Sequence, residues 1–306
     1  MIVVRALAAI AKPALVSGAL GAAAIGGWFA ADQWGPDGAP TPFAAVQDAG
    51  QRLIVNEFGE DADTIVAIDP ADPSVRTVIA TIDHAPGWGS FATLSPDGQS
   101  IAYTAIPADA SDPGPETPAH AAIVDTDGTV TLLADDVDLL IAPVWAPDGS
   151  GIVVRKNTPE DDGAGSFELL LLGRDGSRAT LTAWQSAAVF PVAFSPDGAT
   201  LYFTTLNADG TDLYSIAADG TAETPIAHLS DEIARDWRLS PDGTRLAYSV
   251  AESGPRPGVA ARVLDLATGA VSDAIPADAT LAGPPATGVA RGEFNPAWAP
   301  DGALAV

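Results

Sequence analysis

Cysteine is absent from all 306 residues, which excludes disulfides and any thiolate-held zinc or iron–sulfur centre. Basic residues are scarce, 14 Lys+Arg against 40 Asp+Glu, and the formal charge of −26 repels phosphate backbones, so nucleic acid is not an expected partner. Lysine is nearly missing, with Lys12 and Lys156 alone beside the arginines, a bias that says nothing about mechanism. The three histidines, His84, His120 and His228, have no paired spacing and do not spell a metal site. No Gly-x-Ser-x-Gly elbow, His-Glu-x-x-His helix or phosphate-binding Walker loop occurs, so neither a catalytic group nor a cofactor is expected.

What the chain does have is 47% apolar residues, 30 Gly and 26 Pro. That composition buries a sizeable core and interrupts it with many turns, which favours short strands over long helices. One apolar run stands apart. Residues 13–31, PALVSGALGAAAIGGWFAA, carry no charge, follow Arg5 and Lys12, and precede Asp32, Asp37 and Asp48. At 1.5 Å per residue such a run crosses a bilayer, and the positive-inside rule places the rest of the chain on the extracytoplasmic side. Residues 1–31 are therefore expected to be an uncleaved signal anchor in the cytoplasmic membrane, because Ala22-Ala23-Ala24 sits inside the run and Trp28 and Phe29 spoil a later cleavage site. Residues 32–49, with three prolines and two glycines, read as a linker, and 50–306 as one all-β domain.

Self-similarity fixes the fold expectation. A tetrapeptide occurs five times: Ser95-Pro96-Asp97-Gly98, Ala146-Pro147-Asp148-Gly149, Ser195-Pro196-Asp197-Gly198, Ser240-Pro241-Asp242-Gly243 and Ala299-Pro300-Asp301-Gly302. The prolines are 51, 49, 45 and 59 residues apart, at or slightly above the length of a four-stranded propeller blade. A large apolar residue precedes each turn (Leu94, Trp145, Phe194, Leu239, Trp298) and a β-rich run such as QSIAYTA or ATLYFTT follows. Proline presets φ at the first central position, Asp accepts backbone N–H bonds at the second, and Gly supplies the positive φ.

Second hairpin signals, Asp125-Thr126-Asp127-Gly128, Gly173-Arg174-Asp175-Gly176, Ala218-Asp219-Gly220 and Ala267-Thr268-Gly269, supply the third and fourth strands. Residues 51–82 match the last three strands of a repeat. Sheets that are apolar on both faces bury them by stacking radially, so the expected fold is a β-propeller of four-stranded blades. Either the two partial end repeats combine and the blades number five, or the chain stops in mid-blade and there are six or more. The second is favoured because ALAV would compete with RLIVNEF for one place in a sheet.

The Trp/Phe-Ser/Ala-Pro-Asp-Gly turn with its Ile/Leu-Ala-Tyr/Phe strand resembles the repeat of TolB-type propellers, also found in the propeller domains of prolyl oligopeptidase and dipeptidyl peptidase relatives. The resemblance covers about residues 50–306. It implies a non-catalytic envelope protein whose channel rim takes a protein or peptide partner. The alternative it leaves open is the propeller half of a prolyl-oligopeptidase-type serine hydrolase whose catalytic domain lies outside this chain. A propeller lyase or lactonase would need a central metal, and no clustered ligands suggest one.

In a propeller the segments entering the innermost strands form one rim. Aligned on the turn, they hold Trp88, Phe91, Asp138, Phe190, Arg235 with Asp236 and Trp237, and Arg291 with Glu293, Phe294 and Asn295. Aromatics beside Arg and carboxylates suit recognition. Arg235-Asp236-Trp237 departs most from its counterparts, Ser90-Phe91-Ala92, Ile141-Ala142-Pro143, Phe190-Pro191-Val192 and Phe294-Asn295-Pro296, and is the first-choice site. Asp125–Gly128 and Asn207–Asp212 resemble the start of a calcium loop but lack its bidentate Glu, so both read as turns.

Overall fold

The computed structural model describes residues 52–69, 71–158, 165–252, 258–274, 296–299 and 301–305. The expected anchor (1–31) and linker (32–49), together with Arg291, Glu293, Asn295 and Pro300, lie outside the described residues. No helix of the described part is long and apolar enough to cross a membrane. Its regular structure is all strand. The chain divides into two compact units between Pro191 and Val192.

In the first unit, β1 (Leu53–Glu57), β2 (Ala62–Ile68) and β3 (Arg76–Asp83) make a three-stranded sheet, the partial repeat read from residues 51–82. Two four-stranded sheets follow in chain order. The first comprises β4 (Ser90–Leu94), β5 (Ser100–Ala105), β6 (Ala119–Asp125) and β7 (Val130–Val137). The second comprises β8 (Val144–Trp145), β9 (Gly151–Thr158), β10 (Ser166–Gly173) and β11 (Arg178–Trp184).

The unit boundary falls inside β12 (Ala188–Phe194), first strand of a sheet continued by β13 (Thr200–Asn207), β14 (Gly210–Ala217) and β15 (Thr224–Ser230). A further four-stranded sheet in the second unit holds β16 (Ala234–Leu239), β17 (Arg245–Glu252), β18 (Gly258–Asp265) and β19 (Val271–Asp273). The hairpin β20 (Ala297–Trp298) and β21 (Leu304–Ala305) forms a sheet of its own. Four complete blades and one of three strands therefore match the repeats one for one.

Middle strands such as β6 are buried on both faces and read as continuous apolar runs, whereas last strands such as β7 and β19 are largely exposed. That contrast is what stacked sheets produce. Ile65 and Ala67 of the first sheet pack with Ala92, Ile101 and Ala105 of the second. Ala102, Ala121 and Ile123 of the second pack with Ile152, Val154, Leu170 and Leu172 of the third. Within the second unit, Leu213 and Leu229 meet Leu246, Tyr248 and Leu264. Each buried Ile, Leu or Val among them contributes roughly 1.5–3 kcal/mol by leaving water.

The Pro-Asp-Gly turns have the expected chemistry over their described residues. The Gly98 amide donates to the Ser95 carbonyl at 2.9 Å, the Gln99 amide donates to the Asp97 carboxylate at 3.0 Å, and Gly98 sits at φ 70°. Gly149, Gly198, Gly243 and Gly302 repeat the closing bond and the positive φ. Ser95, Ser195 and Ser240 each donate a hydroxyl to the turn aspartate at 2.6 Å. Where a tryptophan precedes the turn, it ties one sheet to its predecessor: the Trp145 indole N–H donates to the Thr93 carbonyl at 3.2 Å, and Trp298 does the same to Arg238 at 2.9 Å. Both acceptors stand three residues before a turn proline. The suspected calcium loops are hairpin turns, Asn207 pairing with Gly210 and the Gly128 amide donating to the Asp125 carbonyl.

Candidate functional site

The segments leading into the first strands were the sequence's choice for recognition, and each builds a different environment. Ahead of β4, Trp88 is half-buried against the core shared by the second and third sheets. Just beyond it lies the most heavily bonded polar group described in the first unit. Asp63, fully buried on β2, accepts bonds from the Gly59 amide (3.0 Å), the Ser90 amide (2.6 Å), the Ser90 hydroxyl (2.7 Å) and the Asn56 side-chain amide (3.4 Å). His84, also fully buried, places Nε2 3.0 Å from the Asp63 carboxylate and Nδ1 2.9 Å from the Ala85 carbonyl.

A serine, a histidine and an aspartate thus meet, but in the wrong order for nucleophilic catalysis. Ser90 and His84 bind opposite oxygens of one carboxylate, so no base faces the Ser90 hydroxyl. The cluster ties β2, the end of β3 and the start of β4 together.

Near the start of β12, Phe190 lies against a guanidinium outside the incoming segments. Arg155 on β9 is buried, stacks on Phe167 (5.2 Å) and Phe190 (4.7 Å), and donates to the Asp138 carboxylate at 2.6 and 2.9 Å. Its third nitrogen donates to the Val189 carbonyl at 3.3 Å. Asp138 and Phe190, read as rim residues, therefore share one buried cation. The signal that could have found Arg155 is an arginine inside the apolar run GIVVRK, where a charge persists only if paired.

Ahead of and within β16 the backbone itself departs from the repeat. Arg235 pairs with Ser249 and Arg238 with Ala247, so Asp236 and Trp237 together oppose the single residue Tyr248. Asp236 holds φ at 59°, the left-handed region that L-residues occupy at a cost. β4 pairs with β5 without any shift over the equivalent stretch. The bulge leaves Arg235 exposed and Asp236 half-exposed, 3.6 Å from the Arg235 guanidinium, while Trp237 packs against the core of the second unit. Burial pulls the pKa of the neighbouring Arg238 below its ordinary value, and the charge of Asp236 opposes that shift.

In the same unit, His228 is exposed between two carboxylates, Asp212 at 2.7 Å and Asp231 at 3.1 Å, and its pKa is raised by the bond to Asp212 and then by that to Asp231. Among the described residues no three His, Asp or Glu side chains group closely enough to hold a metal ion.

Small antiparallel sheets in chain order, each complete one begun by the same hairpin and packed face to face inside each unit, define the fold as a β-propeller. Its fold is similar to that of TolB propellers. The TolB structure from Acinetobacter baumannii superposes with a TM-score of 0.55 at 17% identity, covering 78% of this chain and 52% of that one. A putative TolB from Agrobacterium tumefaciens gives 0.52 at 20% identity, covering 73% and 76%. An oligogalacturonate lyase from Vibrio parahaemolyticus gives 0.50 at 12% identity, covering 73% and 62%. The chain thus spans about half the length of the Acinetobacter protein. No protein-family model matches the sequence, and no curated protein does.

Proposed function

We propose that the chain is a non-catalytic, membrane-anchored binding protein whose propeller stands on the extracytoplasmic side and takes a protein or peptide partner at the segments leading into its first strands. The observation that carries this reading is the bulge at Asp236. A strained, half-exposed residue beside an exposed arginine and a core-anchored tryptophan contributes nothing to strand pairing, and such strain collects at functional positions. An aromatic flanked by a cation and a carboxylate also has the composition of a recognition patch. The TolB-like fold agrees with this role without fixing it. The anchor rests on the apolar run at 13–31.

The test is recovery of partners from detergent-solubilised membranes by the full chain and by a variant carrying Arg235→Ala and Asp236→Gly, which keeps the backbone geometry. Loss of a partner from the variant, at undiminished thermal stability, supports the reading. Recovery of the same partners in the same amounts removes Arg235-Asp236-Trp237 as the site.

A further inference from the structure

The first sheet has three strands where its complete fellows have four, and among the described residues β1 has a strand neighbour on one side only. A recurring bulge identifies which strand is lacking. Where β2, β6, β10 and β14 pair with the strand that follows, the register slips after Ile65, Ala121, Leu169 and Leu213. Those residues face Asn56, Thr104, Arg155 and Thr204 on the strand before. β1 is therefore a second strand, equivalent to β5, and its free edge is the place that β4, β8, β12 and β16 fill in the other sheets.

That edge is not finished as a surface. Leu53 is part-exposed, whereas Ile101, Ile152, Leu201 and Leu246 at the matching positions are at most 1% exposed. A row of unpaired amides and carbonyls beside such a side chain is a template for another strand.

The same register, carried back along the chain, names that strand. Gly50 stands six residues before Asn56, as Gly98, Gly149 and Gly198 stand before Thr104, Arg155 and Thr204 and supply the positive φ of their turns. Val46 falls on the apolar position before the turn, held elsewhere by Leu94, Trp145, Phe194 and Leu239, and Phe43-Ala44 falls on Phe91-Ala92. No insertion is needed. Pro42 falls on Ser90, whose amide donates to the Asp63 carboxylate and not to β5, so the missing N–H removes no ladder bond. The turn reads Gln47-Asp48-Ala49-Gly50, which keeps the glycine but not the proline and aspartate, and so the repeat is not visible there as a tetrapeptide.

We propose that residues 42–46 are the first strand of the first sheet, folded onto β1 through a turn at 47–50 with the register of β4 on β5. The occupant of the edge is then the chain itself and not a partner's strand. One consequence rests on the anchor of the functional reading above: the free tether shrinks to residues 32–41, about 35 Å at full extension, and holds the propeller close to the membrane.

Two measurements on the full chain test the strand. The Ser95 amide donates to the Ser100 carbonyl, so by alternation Thr93–Ala102 and Phe91–Thr104 are hydrogen-bonded pairs and Ala92–Tyr103 is not. The chain has no cysteine, so Ala44→Cys with Val55→Cys sets its only two thiols across a non-hydrogen-bonded pair, with Cα atoms about 4.5 Å apart. Mild oxidation is expected to join them, and to leave the pair Ala39→Cys with Val55→Cys unjoined. Equal yields from the two pairs would overturn the strand.

In native-state hydrogen exchange, Ile54 and Asn56 are the β1 amides that this register turns toward residues 45 and 43. They are expected to exchange at least about fivefold more slowly than unbonded amides, the factor corresponding to about 1 kcal/mol for one hydrogen bond. Ala45→Pro is expected to abolish that protection at Ile54. Unprotected amides would overturn the pairing, and protection unmoved by Ala45→Pro would give the edge to a different segment. Neither readout depends on the anchor, whose failure would remove the tether and leave the strand.

Discussion

Ser90 and Arg235 stand at the same distance before their turn prolines, yet one is sealed and the other is exposed. Around Ser90 the strand pairs regularly, and both its amide and its hydroxyl are consumed by Asp63. Around Arg235 the strand carries two residues against one, and the side chain turns to solvent. The lesson is that a repeat fixes where a strand begins but leaves its first residues free to be spent on packing or on display. A buried carboxylate neighbour selects the first use, and a left-handed bulge permits the second.

That contrast can be broken most severely at Asp63. Asp63→Ala strands Ser90, His84 and Asn56 in a sealed interior, and urea denaturation is expected to show a loss of about 3–5 kcal/mol. A change under 1 kcal/mol would show that the cluster is not a tie. Next in size is Gly243→Ala, which forces a positive φ and would bring a Cβ within 2.5 Å of Pro196. A loss above about 2 kcal/mol is expected, against about 1 kcal/mol for Gly176→Ala, which has nothing nearby.

On the exposed side the sign reverses. Asp236→Gly relieves the left-handed strain and is expected to stabilise by up to about 1 kcal/mol in the same assay. A net loss would mean that the aspartate is held there by bonds worth more than its strain. Smallest of all, Arg235→Ala should move stability by less than about 0.5 kcal/mol.

The turn aspartates predict an acid limb common to both regions. The bond from Ser240, with those from Thr244, lowers the Asp242 pKa to about 2, and Asp148 and Asp197 are lowered by their own turn bonds. A depressed carboxylate stabilises fully above its unfolded pKa, about 4, and loses that contribution as pH falls toward the folded value. Stability should therefore decline between about pH 4 and pH 2, and Asp242→Asn should shallow the decline in denaturation series run across that window. An unchanged slope would place the acid sensitivity elsewhere.

Much of this architecture could be read in the sequence because its determinants are local. Proline, aspartate and glycine act within six residues, so the turns at Pro96, Pro147, Pro196 and Pro241, and the strands beside them, are legible in the sequence alone. Arg235-Asp236-Trp237 was visible too, as the one incoming segment unlike its fellows. Asp63 with His84, and Arg155 with Phe190, were not, since their partners come from other strands up to 35 residues away and no spacing rule joins them.

The turns also bear on how the chain acquires its shape. In the Ser95 and Ser240 turns, the closing amide, the serine hydroxyl and the aspartate are satisfied almost entirely by one another, over a loop of six residues. A hairpin of that kind can close in about 1–10 μs without help from the rest of the molecule. Each newly synthesised repeat can therefore emerge with its reversal already made, leaving only the slower docking of one preformed sheet on the last.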